Sequence, residues 1–281
     1  RFGEELARDI PEIDGFISLD SLLEVETIVN LGGAAPPPSP SHMVFDHTAP
    51  RLLTTRGYAY LKVAEGCNNP CTFCAIPLWR GRFRSRTVES LVAEARGLEA
   101  QGVGEHGLTR LAEALLASTG FKWIRFLYAY PTTLDEQLLK LMGEEERLVS
   151  YVDMPLQHSH PDMLKAMRRG GSAERYTRLL ARARELAPDI FLRTTFIVGF
   201  PGETDEHFDH LLDFVRRSQF DHLGAFVYSA EPGTPAAELP DPVTPAIARR
   251  RHRRLLAAQK PIALARRRAL VGRTFDCLVE G

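Results

Sequence analysis

From about residue 54 the chain alternates short apolar runs with longer stretches whose apolar residues recur every three or four positions. The first pattern is that of buried strands, the second that of amphipathic helices. Residues 58–64, 123–128, 151–154, 191–198 and 222–228 read as strands. Residues 88–101, a stretch from 108, then 134–142, 161–167, 173–186, 206–217 and 246–270 read as helices, and 274–279 opens a further strand. Strand and helix in turn imply an α/β fold whose parallel sheet has right-handed crossovers, open or closed into a barrel.

The rhythm breaks once. Between the helix ending near Gln101 and the helix from Leu108 there is only Gly102-Val103-Gly104-Glu105-His106-Gly107, where a βα repeat needs a strand. A sheet that loses an internal member exposes two unpaired edges. The simplest account is that residues between about Val103 and His106 are missing, a loop that is disordered without its cofactor.

Residues 1–30 carry a small α/β pattern, and 34–41 form a linker stiffened by Pro36, Pro37, Pro38 and Pro40. Three units are expected: 1–48 as the end of one domain plus linker, 49–270 as the main barrel, and 271–281 as the start of another module. The chain opens on Arg1-Phe2-Gly3-Glu4-Glu5, charged and without a Met, so no signal peptide is read and a longer protein is expected.

An apolar fraction of 44% and a net charge of −1 describe an ordinary globular protein with no global pull toward nucleic acid. The basic residues are uneven. Arg80, Arg82, Arg84 and Arg86 follow the cysteines, while Arg249, Arg250, Arg251, Arg253, Arg254, Arg266, Arg267 and Arg268 crowd the last helix. That helix presents either a solvated face or a contact for RNA.

Of four cysteines, three fall in Cys67-Asn68-Asn69-Pro70-Cys71-Thr72-Phe73-Cys74. Clustered thiols in a long chain point to a metal site in a reducing, cytoplasmic compartment rather than to disulfides. Structural zinc takes four ligands in two close pairs, and Cys277 is far away in sequence. Three thiolates on a 4Fe–4S cube leave one iron open to a small chelating ligand.

The C-x3-C-x2-C spacing after a strand, with an aromatic residue before the third Cys, resembles the radical S-adenosylmethionine superfamily. The run Ile76-Pro77-Leu78-Trp79-Arg80-Gly81-Arg82-Phe83-Arg84-Ser85-Arg86 is similar to a segment of its methylthiotransferases. So are Asp153-Met154-Pro155-Leu156-Gln157-His158, Arg193-Thr194-Thr195-Phe196-Ile197-Val198-Gly199-Phe200-Pro201-Gly202-Glu203-Thr204 and Phe226-Val227-Tyr228-Ser229-Ala230-Glu231-Pro232-Gly233-Thr234-Pro235-Ala236. The resemblance spans nearly the whole chain and implies a partial TIM-like barrel. It implies a cluster on Cys67, Cys71 and Cys74, with S-adenosylmethionine as a second cofactor and Phe73 near its adenine. A reduced cluster would generate a 5′-deoxyadenosyl radical. The family's N-terminal domain holds a second 4Fe–4S cluster for sulfur delivery, of which residues 1–33 resemble only the end. Residues 271–281 resemble the first strand of its TRAM-type module.

Met154-Pro155-Leu156-Gln157-His158-Ser159 looks like the branch that adds a methylthio group to the β-carbon of an aspartate in ribosomal protein S-twelve, free or in the small subunit. The tRNA-modifying branch is the alternative, and a non-catalytic cluster or zinc protein a more distant one. Flavodoxin or ferredoxin is the implied electron donor.

Other residues carry two readings. Gly199 and Gly202 bracket either a ligand cradle or a tight turn. Gln157 and His158 are a satisfied polar pair or cofactor contacts at a strand end. Arg193 reaches the cofactor carboxylate only if it points into the barrel. Thr195 belongs to the same strand, and Tyr228 ends the next. His158-Ser159-His160 hints at a metal, but has no partner cluster.

Overall fold

The computed structural model describes residues 60–99 and 108–277. The elements run β1 (Ala64–Glu65), α1 (Ile76–Arg80), β2 (Arg84–Ser85), α2 (Val88–Glu99), α3 (Leu108–Ser118), α4 (Glu136–Glu144), β3 (Tyr151–Asp153), α5 (Pro161–Ala166), α6 (Ala173–Leu186), β4 (Phe191–Val198), α7 (Asp205–Ser218), β5 (His222–Val227) and α8 (Pro245–Arg268). The strands β3, β4 and β5 form a parallel sheet in that order, with Asp153 beside Arg193 and Arg193 beside His222.

β4 shows how the sheet is sided. Leu192, Thr194, Phe196 and Val198 are buried, whereas Phe191 is exposed and Arg193, Thr195 and Ile197 are half-buried. Successive side chains point to opposite faces, so one face packs on helices and the other lies more open. On the packed face the Phe196 ring meets Phe214 at 6.3 Å and Phe220 at 6.1 Å, edge-on. Helix α7 supplies Phe208, Leu211, Leu212, Phe214 and Val215 to this core. α8 closes the sheet beyond β5, where the buried Gln259 amide donates to the Phe220 carbonyl at 2.7 Å.

The long helices and β4 lie where the periodicity puts them; three expected strands do not. Among residues 123–128 only Ile124 pairs, as a parallel bridge to Leu148. The run then bends at Tyr128, whose φ of +59° no ladder residue adopts. Of residues 58–64, only Ala64 enters a ladder, the two-residue antiparallel pairing of β1 with β2; residues 58 and 59 lie outside the described residues. Residues 274–277 are exposed and irregular, with no strand paired to them among the described residues. The interrupted stretch at 101–107, the segment 1–59 and residues 278–281 also lie outside the described residues.

The turn after β4 depends on one glycine. Gly199 has φ +73°, and a Cβ there would meet the Ala248 Cβ on α8 at 2.4 Å. Gly199→Ala should therefore cost about 1–3 kcal/mol, through left-handed backbone and overpacking together. In urea unfolding, adding Ala248→Gly should return the steric part and leave the backbone part. Full recovery in the double variant would show that φ contributes nothing.

Candidate functional site: the three-cysteine loop

The cysteines leave β1 through Gly66. Its φ is +73°, and a Cβ would sit 2.2 Å from the Arg82 carbonyl oxygen, so the crossing of chain at Gly81–Arg82 demands glycine. The Cys67 amide donates to the Gly81 carbonyl at 3.1 Å. Asn69 donates to the Cys67 sulfur from its backbone N–H and from its side-chain amide, each at 3.4 Å.

Thr72 anchors the middle of the loop. Its amide donates to the Met167 carbonyl (3.1 Å), its hydroxyl to the Ala166 carbonyl (2.9 Å), and its own carbonyl accepts from the Ala236 amide (2.9 Å). A loop without ladder bonds is thus tied to the end of α5 and to the 3₁₀ turn Pro235–Glu238. Phe73 packs in an apolar group with Met163, Met167, Phe200, Ile197 and Tyr228. Cys71 is buried, while Cys67 and Cys74 are half-buried.

Burial pushes the Cys74 thiol up, and the nearby Cys71 and Cys67 push it further, against the Ile76 amide and Arg169. The three sulfurs therefore act on one another as one site. Among the described residues, the only acid, histidine or cysteine trio with ligand atoms all within 4.8 Å is His160, Asp162 and His207. The cysteine sulfurs are spread more widely than that. Four thiolates about 2.3 Å from a single zinc would sit closer together, so the loop suits a cluster better than a mononuclear ion.

The His160–Asp162–His207 trio is better explained by helix capping. His160 Nδ1 accepts the Asp162 N–H at 3.2 Å at the start of α5. His207 Nδ1 accepts the Thr204 N–H at 3.2 Å, completing a capping box. Neutral rings that accept at Nδ1 carry their proton on Nε2, which leaves no lone pair for a metal.

Five of the remaining site residues lie on or next to the sheet. Arg193 and Thr195 lie on the more open face, where Arg193 forms an ion pair with Asp153. Gln157 holds its place by donating to the Thr195 carbonyl (2.9 Å) and accepting from the Ile197 amide (2.8 Å), at a strained φ of +70°. The ring of Tyr228 lies 5.2 Å from Phe200, its hydroxyl buried without a partner. Gly199 and Tyr228 also line a cavity of about 150 Å³ with Val243 and Ala248.

His158 departs from its expected place. It is fully buried, its Nδ1 accepts the His160 N–H at 3.0 Å, and its Nε2 faces Glu203 Oε1 at 3.3 Å. The left-handed turn at Gln157 swings His158 beneath the sheet end, where both ring nitrogens are committed. Glu203 in turn accepts from the Gly199 amide at 2.6 Å and from Arg251 at 2.8 Å. Two further residues gave no sequence signal. Arg251 read as one more member of a charge run, and Arg169 lies 3.6 Å from the Cys71 sulfur.

Residues 61–215 match the model of the radical SAM superfamily. The same fold is seen in the radical S-adenosylmethionine methyltransferase TsrM from Kitasatospora setae, at a TM-score of 0.52 and 21% identity over 64% of this chain and 38% of that one. The fold and the three-thiol loop define a radical S-adenosylmethionine domain.

More closely similar are proteins named ribosomal protein uS12 methylthiotransferase RimO. That of Microcystis aeruginosa is 43% identical over 99% of this chain and 69% of its own length. That of Trichlorobacter lovleyi is 42% identical, over 100% and 68%, and that of Prochlorococcus marinus 45%, over 99% and 64%. The chain belongs to this methylthiotransferase family and spans about two thirds of its relatives' length. These alignments run over 301 and 304 residues against 281 in the chain, so the relatives carry residues within the aligned region that this chain lacks. A strand skipped near 102–107 would be a difference of that kind.

The buried His158–Glu203–Arg251 network generates a stability prediction. Glu203→Gln leaves Arg251 only the exposed Asp205 carboxylate as an ionic partner and should cost about 3 kcal/mol in urea unfolding. Burial pushes the His158 imidazole down, against the pull of Glu203. The folded ring thus stays neutral where the unfolded one, with an ordinary value of about 6.5, takes a proton. Stability present above about pH 6.5 should fall as the pH drops below it. His158→Phe, less stable at pH 8, should show a shallower decline; an unchanged pH slope would remove His158 as its source.

Proposed function

We propose that the chain is the radical domain of an enzyme that adds a methylthio group to the β-carbon of an aspartate in ribosomal protein uS12, free or in the small subunit. The observation that carries this reading is the loop that gathers Cys67, Cys71 and Cys74 with Phe73 against the ends of β4 and β5, within a chain of this family. These cysteines would hold a 4Fe–4S cluster with one iron open to S-adenosylmethionine. Together the two groups supply one-electron chemistry able to break an unactivated C–H bond.

The protein's own residues bind and orient. Phe73, Gly199 and Tyr228 would wall the adenosine, and the partnerless Tyr228 hydroxyl has a proton to offer there. Gln157 and Thr195 would face the cofactor from the sheet. Arg193 pairs with Asp153 and also bonds the Tyr128 and Tyr151 hydroxyls, so it would have to exchange one of these partners to take a cofactor carboxylate. The apolar group under the loop excludes water.

Sulfur transfer would draw on a second cluster in an N-terminal domain and electrons on a flavodoxin or ferredoxin. A TRAM-type module would begin at residues 271–281, and RNA contact is compatible with this reading but not required by it. The proposed setting is cytoplasmic; among the described residues no helix is long and apolar enough to cross a membrane.

Anaerobically reconstituted protein with dithionite should convert S-adenosylmethionine to 5′-deoxyadenosine. Alanine at any one of the three cysteines should reduce this to background while the circular dichroism spectrum is retained. A triple-alanine variant that still makes 5′-deoxyadenosine would overturn the reading. With the N-terminal domain supplied, a methylthio mass gain should appear on uS12 and not on a tRNA anticodon stem–loop; the reverse would move the substrate to RNA.

A further inference from the structure

Arg169 sits just beyond α5, where its amide donates to the Leu164 carbonyl at 2.8 Å. Its guanidinium is held on three sides. One terminal nitrogen donates to the Pro155 carbonyl at 2.5 Å, the other approaches the Cys71 sulfur at 3.6 Å, and the plane lies 4.4 Å from the centre of the Tyr130 ring. Its Nε is buried without a partner.

The nearby carboxylates are taken: Asp153 pairs with Arg193, and Glu203 with Arg251. A half-buried guanidinium with no carboxylate partner among the described residues needs another source of negative charge. The Cys71 sulfur lies within its reach at 3.6 Å, and as a cluster ligand it would be a thiolate.

We propose that Arg169 is a positioning residue for the cluster: it donates a charge-assisted hydrogen bond to the Cys71 sulfur and raises the cluster's reduction potential. This rests on the reading of the three cysteines as cluster ligands. One-electron reduction adds a negative charge to a thiolate-bound cluster, and a fixed cation beside a ligand sulfur stabilises the reduced state more than the oxidised one. The Pro155 carbonyl and the Tyr130 ring keep the guanidinium from swinging to solvent. They also give Met154-Pro155 and Tyr130 a part in the site without contact to any cofactor.

The test is a redox titration of anaerobically reconstituted protein, followed by electron paramagnetic resonance with titanium(III) citrate as reductant. Arg169→Met should bind as much iron and sulfide as the wild type but show a more negative midpoint potential. Arg169→Lys, which keeps the charge, should lie between the two. A wild-type midpoint in the methionine variant overturns the proposal. If the methionine variant binds no iron, the lysine variant decides: a midpoint more negative than the wild type supports the proposal, and a wild-type midpoint or failure to bind iron overturns it. A wild-type protein that assembles no cluster at all sinks the parent reading, and this inference with it.

Discussion

The buried carboxylate of Glu203 is the point on which the site's framework converges. It accepts the Gly199 amide at the end of β4, faces the His158 ring that follows β3, and receives Arg251 from the middle of α8. Three segments far apart in sequence are thereby locked to one turn. An isolated carboxylate so deeply buried would cost many kcal/mol, and the surrounding donors offset it only while the geometry holds. That makes the network a poor source of net stability but a strong determinant of a single arrangement. It excludes any packing of α8 that moves Arg251 off the turn.

The cysteine loop follows a different logic. It has no ladder and hardly any regular structure of its own, yet it must present three sulfurs at fixed separations. Its backbone solves this by borrowing carbonyls from α5 and lending one to the Pro235–Glu238 turn, with Thr72 as the pivot. The side chains either side of that pivot diverge, Cys71 toward Arg169 and Phe73 into the apolar group below. Burial above all, and the neighbouring Cys71 and Cys67 after it, push the Cys74 thiol up. A bound iron–sulfur core would favour the thiolate forms that burial disfavours, so metal binding and deprotonation of the loop would be coupled.

How much of this was legible depended on whether a feature was local. Helix α6 and strand β4 lie within the bounds that their periodicity sets, because an amphipathic repeat and an unbroken β-branched run need no outside partner to be recognised. The run 123–128 has strand composition, but a ladder depends on neighbours, and its bend at Tyr128 is invisible in apolar pattern. Of the two readings of His158, its buried hydrogen bonds match the satisfied polar one, and they follow from a single left-handed residue, Gln157, that sequence does not reveal. Gly199 was readable as either a tight turn or a ligand wall, and its geometry satisfies both, with Ala248 behind it and a cavity beside it. Arg251 was hidden because sequence does not say which arginine in a basic run is buried, and Arg169 because its approach to Cys71 joins positions about a hundred residues apart.

The two faces of the sheet then divide the work. The packed face is almost wholly apolar, and its interlocking Phe196, Phe214 and Phe220 rings allow β4 little freedom. On the open side Arg193 and Asp153 form an ion pair, while Tyr128 at the neighbouring chain bend and Phe226 on β5 remain 71% and 62% exposed. Phe226 lies in register with Ile197 and not with Arg193, so the exposed β5 ring and the ion pair stand at different levels of the same face. The Asp153 carboxylate is fully buried, while its partner Arg193 keeps part of its side chain in water, which offsets the desolvation of the pair.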